Sequence, residues 1–170
     1  SETVMTTTYN EVDLSSVIAI RKKYQDQFVK KHNTKLGFMS FFVKASVNSL
    51  QSFPHLNAEL HQDELIVKKY YDIGIAVATD EGLVVPVLRG ADKLSSAEIE
   101  LGIAELATKS REKKITLQEL QGGTFSITNG GVFGSLMSTP LLNPPQVGIL
   151  GMHKIMEKPL AVDGEIVIRP

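Results

Sequence analysis

Thr128 closes the run Thr124-Phe125-Ser126-Ile127-Thr128 and is followed at once by Asn129-Gly130-Gly131. A threonine within a strand needs no explanation beyond β-propensity. At a strand end facing a cavity opened by glycines, its hydroxyl has the chemistry to donate to a developing oxyanion. His153 follows the apolar run Val147-Gly148-Ile149-Leu150. As a general base it would want an orienting carboxylate, and Glu157, the nearest acidic residue in sequence, falls about 13 Å away along an extended strand. The spacing therefore favours a hydrogen-bonded structural or ligand-contacting histidine. His32, beside Lys30 and Lys31 near a predicted helix end, reads as a solvated cation suited to the helix dipole. The cluster Gly130-Gly131-Val132-Phe133-Gly134 lacks the lysine of a P-loop, and prolines stand where a helix should begin, so it is no phosphate cradle. Glycine-opened loops of such length inside a compact domain are more often functional than idle.

Those side chains must be positioned by the elements around them. The threonine- and valine-rich "VMTTTYNEVD" predicts a strand ending at Asp13, an N-cap for a helix over 14–32 whose stripe is Leu14, Val17, Ile18, Arg21, Tyr24 and Phe28. A second helix, "FMSFFVKASVNSLQSF", is apolar over much of its surface and closed by Pro54, so it should lie deeper. "LNAEL" with "ELIVKKY", and "DIGIAVAT" with "LVVPVLR", read as hairpins, with Pro86 needing an edge, a bulge or a strand end. "SSAEIELGIAELATKSREKK" predicts a third helix capped by Ser95 or Ser96, and "TLQEL" a further helical turn. "TFSIT" and "QVGILGM" are short strands, and "LAVDGEIVI" is a hairpin about Asp163-Gly164. Helices mixed with hairpins predict an α/β fold, a two-layer mixed sheet with helices packed on it.

The 170 residues suffice for one domain without a metal or disulfide staple. A formal charge of -1 supplies no field for nucleic acid or an anionic membrane. The absence of cysteine excludes disulfides, cysteine-based zinc sites and thiol catalysis by the protein itself. No run approaches the roughly 20 apolar residues of a membrane span. The expectation is a soluble intracellular protein, cytoplasmic in a bacterium or in the mitochondrial matrix of a eukaryote.

"GGTFSITNGGVFGSLMSTPLLNPPQVGILGMH", with "NEVD", "KKHNTKLGFMSFFVKA" and "GIAVATDEGLVVPVLR", resembles the catalytic domain of the dihydrolipoyl acyltransferase component of 2-oxo acid dehydrogenase complexes. The resemblance covers essentially the whole chain. "GSLMSTP", "NPPQ" and "GMH" are similar to the succinyl-transferring branch of the 2-oxoglutarate dehydrogenase complex, whereas acetyl-transferring members tend to carry a different loop and "NAPE". The resemblance implies a chloramphenicol acetyltransferase-like fold, homotrimers joined into a 24-subunit core, and succinyl transfer between a dihydrolipoyl arm and coenzyme A. It implies that the lipoyl group is carried on a separate domain, and that the partners are the 2-oxoglutarate decarboxylase and dihydrolipoamide dehydrogenase components. It places Thr128 at the hydroxyl that supports the tetrahedral oxyanion. It places Ser135, Ser138 and His153 at positions that receive the succinyl carboxylate, a fitting trio because hydroxyls and an imidazolium bond an anion. The family's proton-abstracting histidine lies in an Asp-His-Arg motif that this sequence does not contain, and the family's basic first helix does not precede "MTTTYNEVD". Residues 1–170 are therefore expected to form an incomplete catalytic domain. An inactive assembly scaffold and an acetyl-transferring pyruvate dehydrogenase homologue are the alternatives.

Overall fold

The computed structural model describes residues 4–170. Val4 to Asp13 runs as an extended arm outside any ladder, which corrects the strand predicted there. β-propensity expresses fit to a pleated, half-buried surface; Val4 is 98 % and Val12 63 % exposed, and among the described residues the arm pairs with no strand to complete such a surface. The N-cap of α1 (Ser15–His32) is Leu14, whose side chain makes no capping hydrogen bond, a correction to the predicted Asp13. Asp13, one residue earlier, still serves the first turn, its Oδ1 accepting from Ser15 N at 2.9 Å and Ser15 Oγ at 2.6 Å. None of α1's own residues is fully buried; Val17, Ile18, Arg21 and Phe28 are half-buried and Tyr24 is exposed. Arg21 closes part of the seam, with its guanidinium 4.0 Å from the Phe38 ring centroid and its Nε donating to Leu36 O at 2.9 Å. His32 corrects the solvated reading: it is half-buried, its ring 4.8 Å from that of Phe28 one helical turn earlier.

α2 (Met39–Ser52) is the deeper helix, burying Val43, Val47 and Leu50 together with Ser40 and Ser46. It ends before Pro54, which opens a short 3-10 turn. β1 (Ala58–His61) and β2 (Glu64–Val67) form the first hairpin. The second hairpin is split into β3 (Ile73–Ile75), β4 (Val77–Thr79), β5 (Gly82–Val84) and β6 (Val87–Leu88). Its inner part pairs Ile73 with Leu88, and its outer part pairs Val77 with Val84. Pro86 sits at the break, where its missing N–H costs no ladder bond while its carbonyl accepts from Ile75 N at 2.8 Å.

α3 (Ser96–Arg111) begins with a capping box between Ser95 and Glu98, and α4 (Leu117–Leu120) with one between Thr116 and Glu119. β7 (Phe125–Asn129) and β8 (Ile149–Met152) follow. Last comes the hairpin of β9 (Lys158–Val162) and β10 (Glu165–Arg169), turned by Asp163 at φ 51° and Gly164 at φ 83°. The central sheet has the order β6-β3-β7-β8; β3, β7 and β8 are parallel and β6 is antiparallel. Val43, Val47 and Leu50 of α2 and Ile99 and Leu106 of α3 meet Ile73, Ile75, Leu88 and Ile127 of the sheet in one core. Burial of one such side chain contributes about 1.5–3 kcal/mol. This is the predicted two-layer mixed sheet. β8, at the sheet edge, is half-buried, and Val147 before it is 43 % exposed.

Candidate functional site

Side chains alternate along β7. Ile127 enters the core at 0 % exposure, so Ser126 and Thr128 project from the opposite face. There the Ser126 hydroxyl donates to the side-chain carbonyl of Gln146, pinning the far end of the irregular segment beneath the sheet. Beyond Thr128 the chain turns sharply. Asn129 Oδ1 accepts from Gly131 N at 3.0 Å, and Gly131–Phe133 make one 3-10 turn. The loop then returns to β8: Gly130 N donates to Met152 O at 3.0 Å, Ser135 N to Gly130 O at 3.1 Å and Lys154 N to Ser135 O at 2.8 Å. A Cβ at Gly131 would lie 2.5 Å from His153 O. Only glycine allows this approach.

That clasp delivers His153, one residue past β8, to the loop. Its Nε2 lies 2.8 Å from Ser138 Oγ. With a neutral ring protonated on Nδ1, Nε2 accepts from the hydroxyl; with an imidazolium, Nε2–H donates to Oγ and leaves the hydroxyl proton free for an anion. Ser135 Oγ reaches Met137 O at a long 3.4 Å. The pair borders a cleft of about 1380 Å³ whose walls are the arm, the loop and the last hairpin, with Leu136, Met137, Pro140 and Met152 giving it an apolar lining. The arm crosses this cleft: Tyr9 OH donates to Ser138 O at 2.9 Å, and Glu11 is ion-paired with Lys158. Asp13 lies 3.7 Å from Arg169. Its carboxyl is held below the usual carboxylate range by its hydrogen bonds from the Ser15 hydroxyl and backbone, with Arg169 adding a smaller pull.

Ser138 and His153 are thus brought into contact, and Ser135 is held by its backbone in the same loop. Thr128 and Ser135 do not line the cleft, although Asn129, next to Thr128, does. Thr128 is half-buried, its backbone in register with Gly151, and its hydroxyl makes no hydrogen bond among the described residues. Sequence reading passed over Tyr9 and Gln146. Tyr9 is 129 residues from Ser138, a separation that no local period signals. Among the described residues no cluster of three or more His, Asp or Glu could hold a metal, and no helix is long and apolar enough to cross a membrane.

The same architecture occurs in dihydrolipoamide acyltransferase catalytic cores, the coenzyme A-dependent acyltransferase fold. The dihydrolipoamide acetyltransferase of Azotobacter vinelandii superposes with a TM-score of 0.88 at 36 % identity, covering 92 % of this chain and 65 % of that one. The cubic core of a pyruvate dehydrogenase multienzyme complex gives the same TM-score of 0.88 at 36 % identity, again over 92 % and 65 % of the two chains. The chain belongs to the family of 2-oxoacid dehydrogenases acyltransferases (catalytic domain), whose model matches residues 1–170. The dihydrolipoyllysine-residue succinyltransferase component of the 2-oxoglutarate dehydrogenase complex from Bacillus subtilis is 65 % identical over 161 residues, 95 % of this chain and 39 % of that protein. The chain spans about two fifths of the length of the curated relatives it matches.

Proposed function

We propose that this chain forms part of the acyltransferase that moves a succinyl group between a dihydrolipoyl arm and coenzyme A in the 2-oxoglutarate dehydrogenase complex, and that it helps to build the oligomeric core. The Ser138–His153 pair on an apolar cleft carries the succinyl reading. An acetyl group ends in a methyl and gains nothing from two hydrogen-bonding groups, whereas a succinyl group ends in a carboxylate that both can bind. The similarity to a succinyltransferase component, at 65 % identity, supports the same choice.

In the forward direction the coenzyme A sulfur, having lost its proton, attacks the thioester carbonyl carbon. The electron pair moves onto the carbonyl oxygen, and collapse of the tetrahedral species expels the dihydrolipoyl sulfur, which takes up a proton. Thr128 is assigned as the hydroxyl that donates to the carbonyl oxygen as charge develops. Ser138 and His153, with Ser135 beside them, hold the distal carboxylate and so fix the carbonyl for attack. The dihydrolipoyl arm, carried on a separate domain, enters as a substrate, and the Leu136, Met137 and Pro140 wall suits its alkyl chain. None of the four histidines is assigned as the general base, since no Asp-His-Arg motif occurs in the sequence.

Assembly as homotrimers within a 24-subunit core is supported by the likeness to a cubic core and by the exposure of Phe133 and Leu141, each at 74 %. That Thr128 does not line the single-chain cleft suits a channel with a second copy as its other wall. The 2-oxoglutarate decarboxylase and dihydrolipoamide dehydrogenase components are the proposed partners, and the bacterial cytoplasm or the mitochondrial matrix the proposed location. The test is the full-length protein assayed with succinyl and acetyl thioesters of dihydrolipoamide. A preference for succinyl of about 10- to 100-fold in kcat/KM is expected from charge-assisted hydrogen bonds; equal use of both donors would reject the succinyl assignment.

A further inference from the structure

The loop that carries Ser138 has few fastenings of its own. Among the described residues, the backbone from 136 to 142 enters no backbone–backbone hydrogen bond. Its short polar contacts are both at Ser138, one from the side chain to His153 Nε2 at 2.8 Å and one from Tyr9 OH to the backbone carbonyl at 2.9 Å. The second contact comes from an arm tied down elsewhere: Glu11 pairs with Lys158, and Leu14 N donates to Pro170 O at 3.1 Å. The arm therefore acts as a strap between the last hairpin and the loop, with the Tyr9 hydroxyl as its attachment to the loop.

We propose that Tyr9 is a positioning residue for acyl specificity: by holding the Ser138 carbonyl it sets the Ser138 hydroxyl against His153, and so fixes where a carboxylate on the acyl group can bind. This rests on the succinyl-site reading above. Tyr9 itself touches no reacting atom. A side chain that already hydrogen-bonds His153 in the free protein does not have to be ordered when the acyl group arrives. Losing the phenol should therefore weaken recognition of the carboxylate-bearing donor and leave a methyl-terminated donor nearly untouched.

Tyr9→Phe removes the hydroxyl and keeps the ring, at a position that is 47 % exposed. In the full-length protein, kcat/KM for succinyl relative to acetyl donor should fall about 3- to 10-fold, as expected for one lost hydrogen bond. The change should lie mainly in the KM of the succinyl donor, with the KM of coenzyme A and the melting temperature unchanged. In a Ser138→Ala background the same substitution should leave the ratio where Ser138→Ala alone put it, because the group being positioned is gone. If Ser138→Ala lowers the ratio and Tyr9→Phe does not, the Tyr9 role is overturned while the succinyl site stands. An equal loss for both donors also overturns it, reducing Tyr9 to a general structural contact. If neither substitution moves the ratio, the succinyl-site reading fails and the strap proposal with it.

Discussion

Ile127 and Thr128 are consecutive on β7, yet the pleat sends one into the core and the other to the opposite face. Their truncations should accordingly separate stability from chemistry. Ile127→Ala should cost about 2–5 kcal/mol in a denaturant titration. Thr128→Ala should barely alter the midpoint but lower turnover of the full-length enzyme about 10²-fold. Normal turnover in the threonine variant would remove Thr128 from the mechanism. His153 was legible as a hydrogen-bonded histidine because Glu157 is too distant along the chain to orient it. Its contact with Ser138 was not legible from spacing. That contact depends on the clasp Gly130–Met152 and Ser135–Lys154, which joins segments brought together only by the parallel pairing of β7 with β8. Family resemblance supplied those two residues; residue periodicity did not.

Elements whose boundaries are set by neighbours in sequence are legible in the sequence alone. Ser95 with Glu98 starts α3, Pro54 stops α2, and Asp163-Gly164 turns the last hairpin, each by a local mechanism. The arm from Val4 to Asp13 departs from its strand-like composition because a strand is defined by a partner, and β-branched residues do not provide one. The contact between α4 and α3 was also out of reach of a local reading: Lys109 Nζ binds Glu119 at 2.9 Å while Glu119 completes the Thr116 capping box. The Lys109 hydrogen bond, followed by those of the Thr116 backbone and hydroxyl, holds the Glu119 carboxyl down at about 2. An unperturbed glutamate titrates near about 4.3, so a folded value below it gives stability that is complete above that pH and is lost as pH falls towards about 2. Glu119→Gln removes this titration. The stability advantage of wild type over Glu119→Gln should shrink when melts are taken from about pH 6 down to about pH 2; a difference independent of pH would show that the carboxylate charge of Glu119 contributes no stability.

For the whole molecule, the central sheet and its two helices account for the core, while many large apolar side chains lie outside it. Phe133 and Leu141 are each 74 % exposed and Ile166 is 80 % exposed. A symmetric assembly would cover such groups repeatedly with the same surfaces. The full-length protein should sediment as a large multimer, and Phe133→Asp should shift it towards smaller species; a wild-type protein that sediments as a single chain would contradict the proposed core. Composition and charge bear on nucleic-acid and membrane affinity. They could not indicate assembly, because exposure of a particular phenylalanine is a property of the folded surface.

The succinyl assignment requires an acyl carboxylate to bind between Ser138 and His153. A His153→Asn variant of the 15N-labelled full-length protein assigns the His153 imidazole nitrogens by their disappearance from the spectrum. Titration with a non-hydrolysable succinyl donor analogue should shift the His153 Nε2 resonance, and the acetyl counterpart should leave it in place. If both analogues move that resonance equally, or neither moves it, the carboxylate does not bind there.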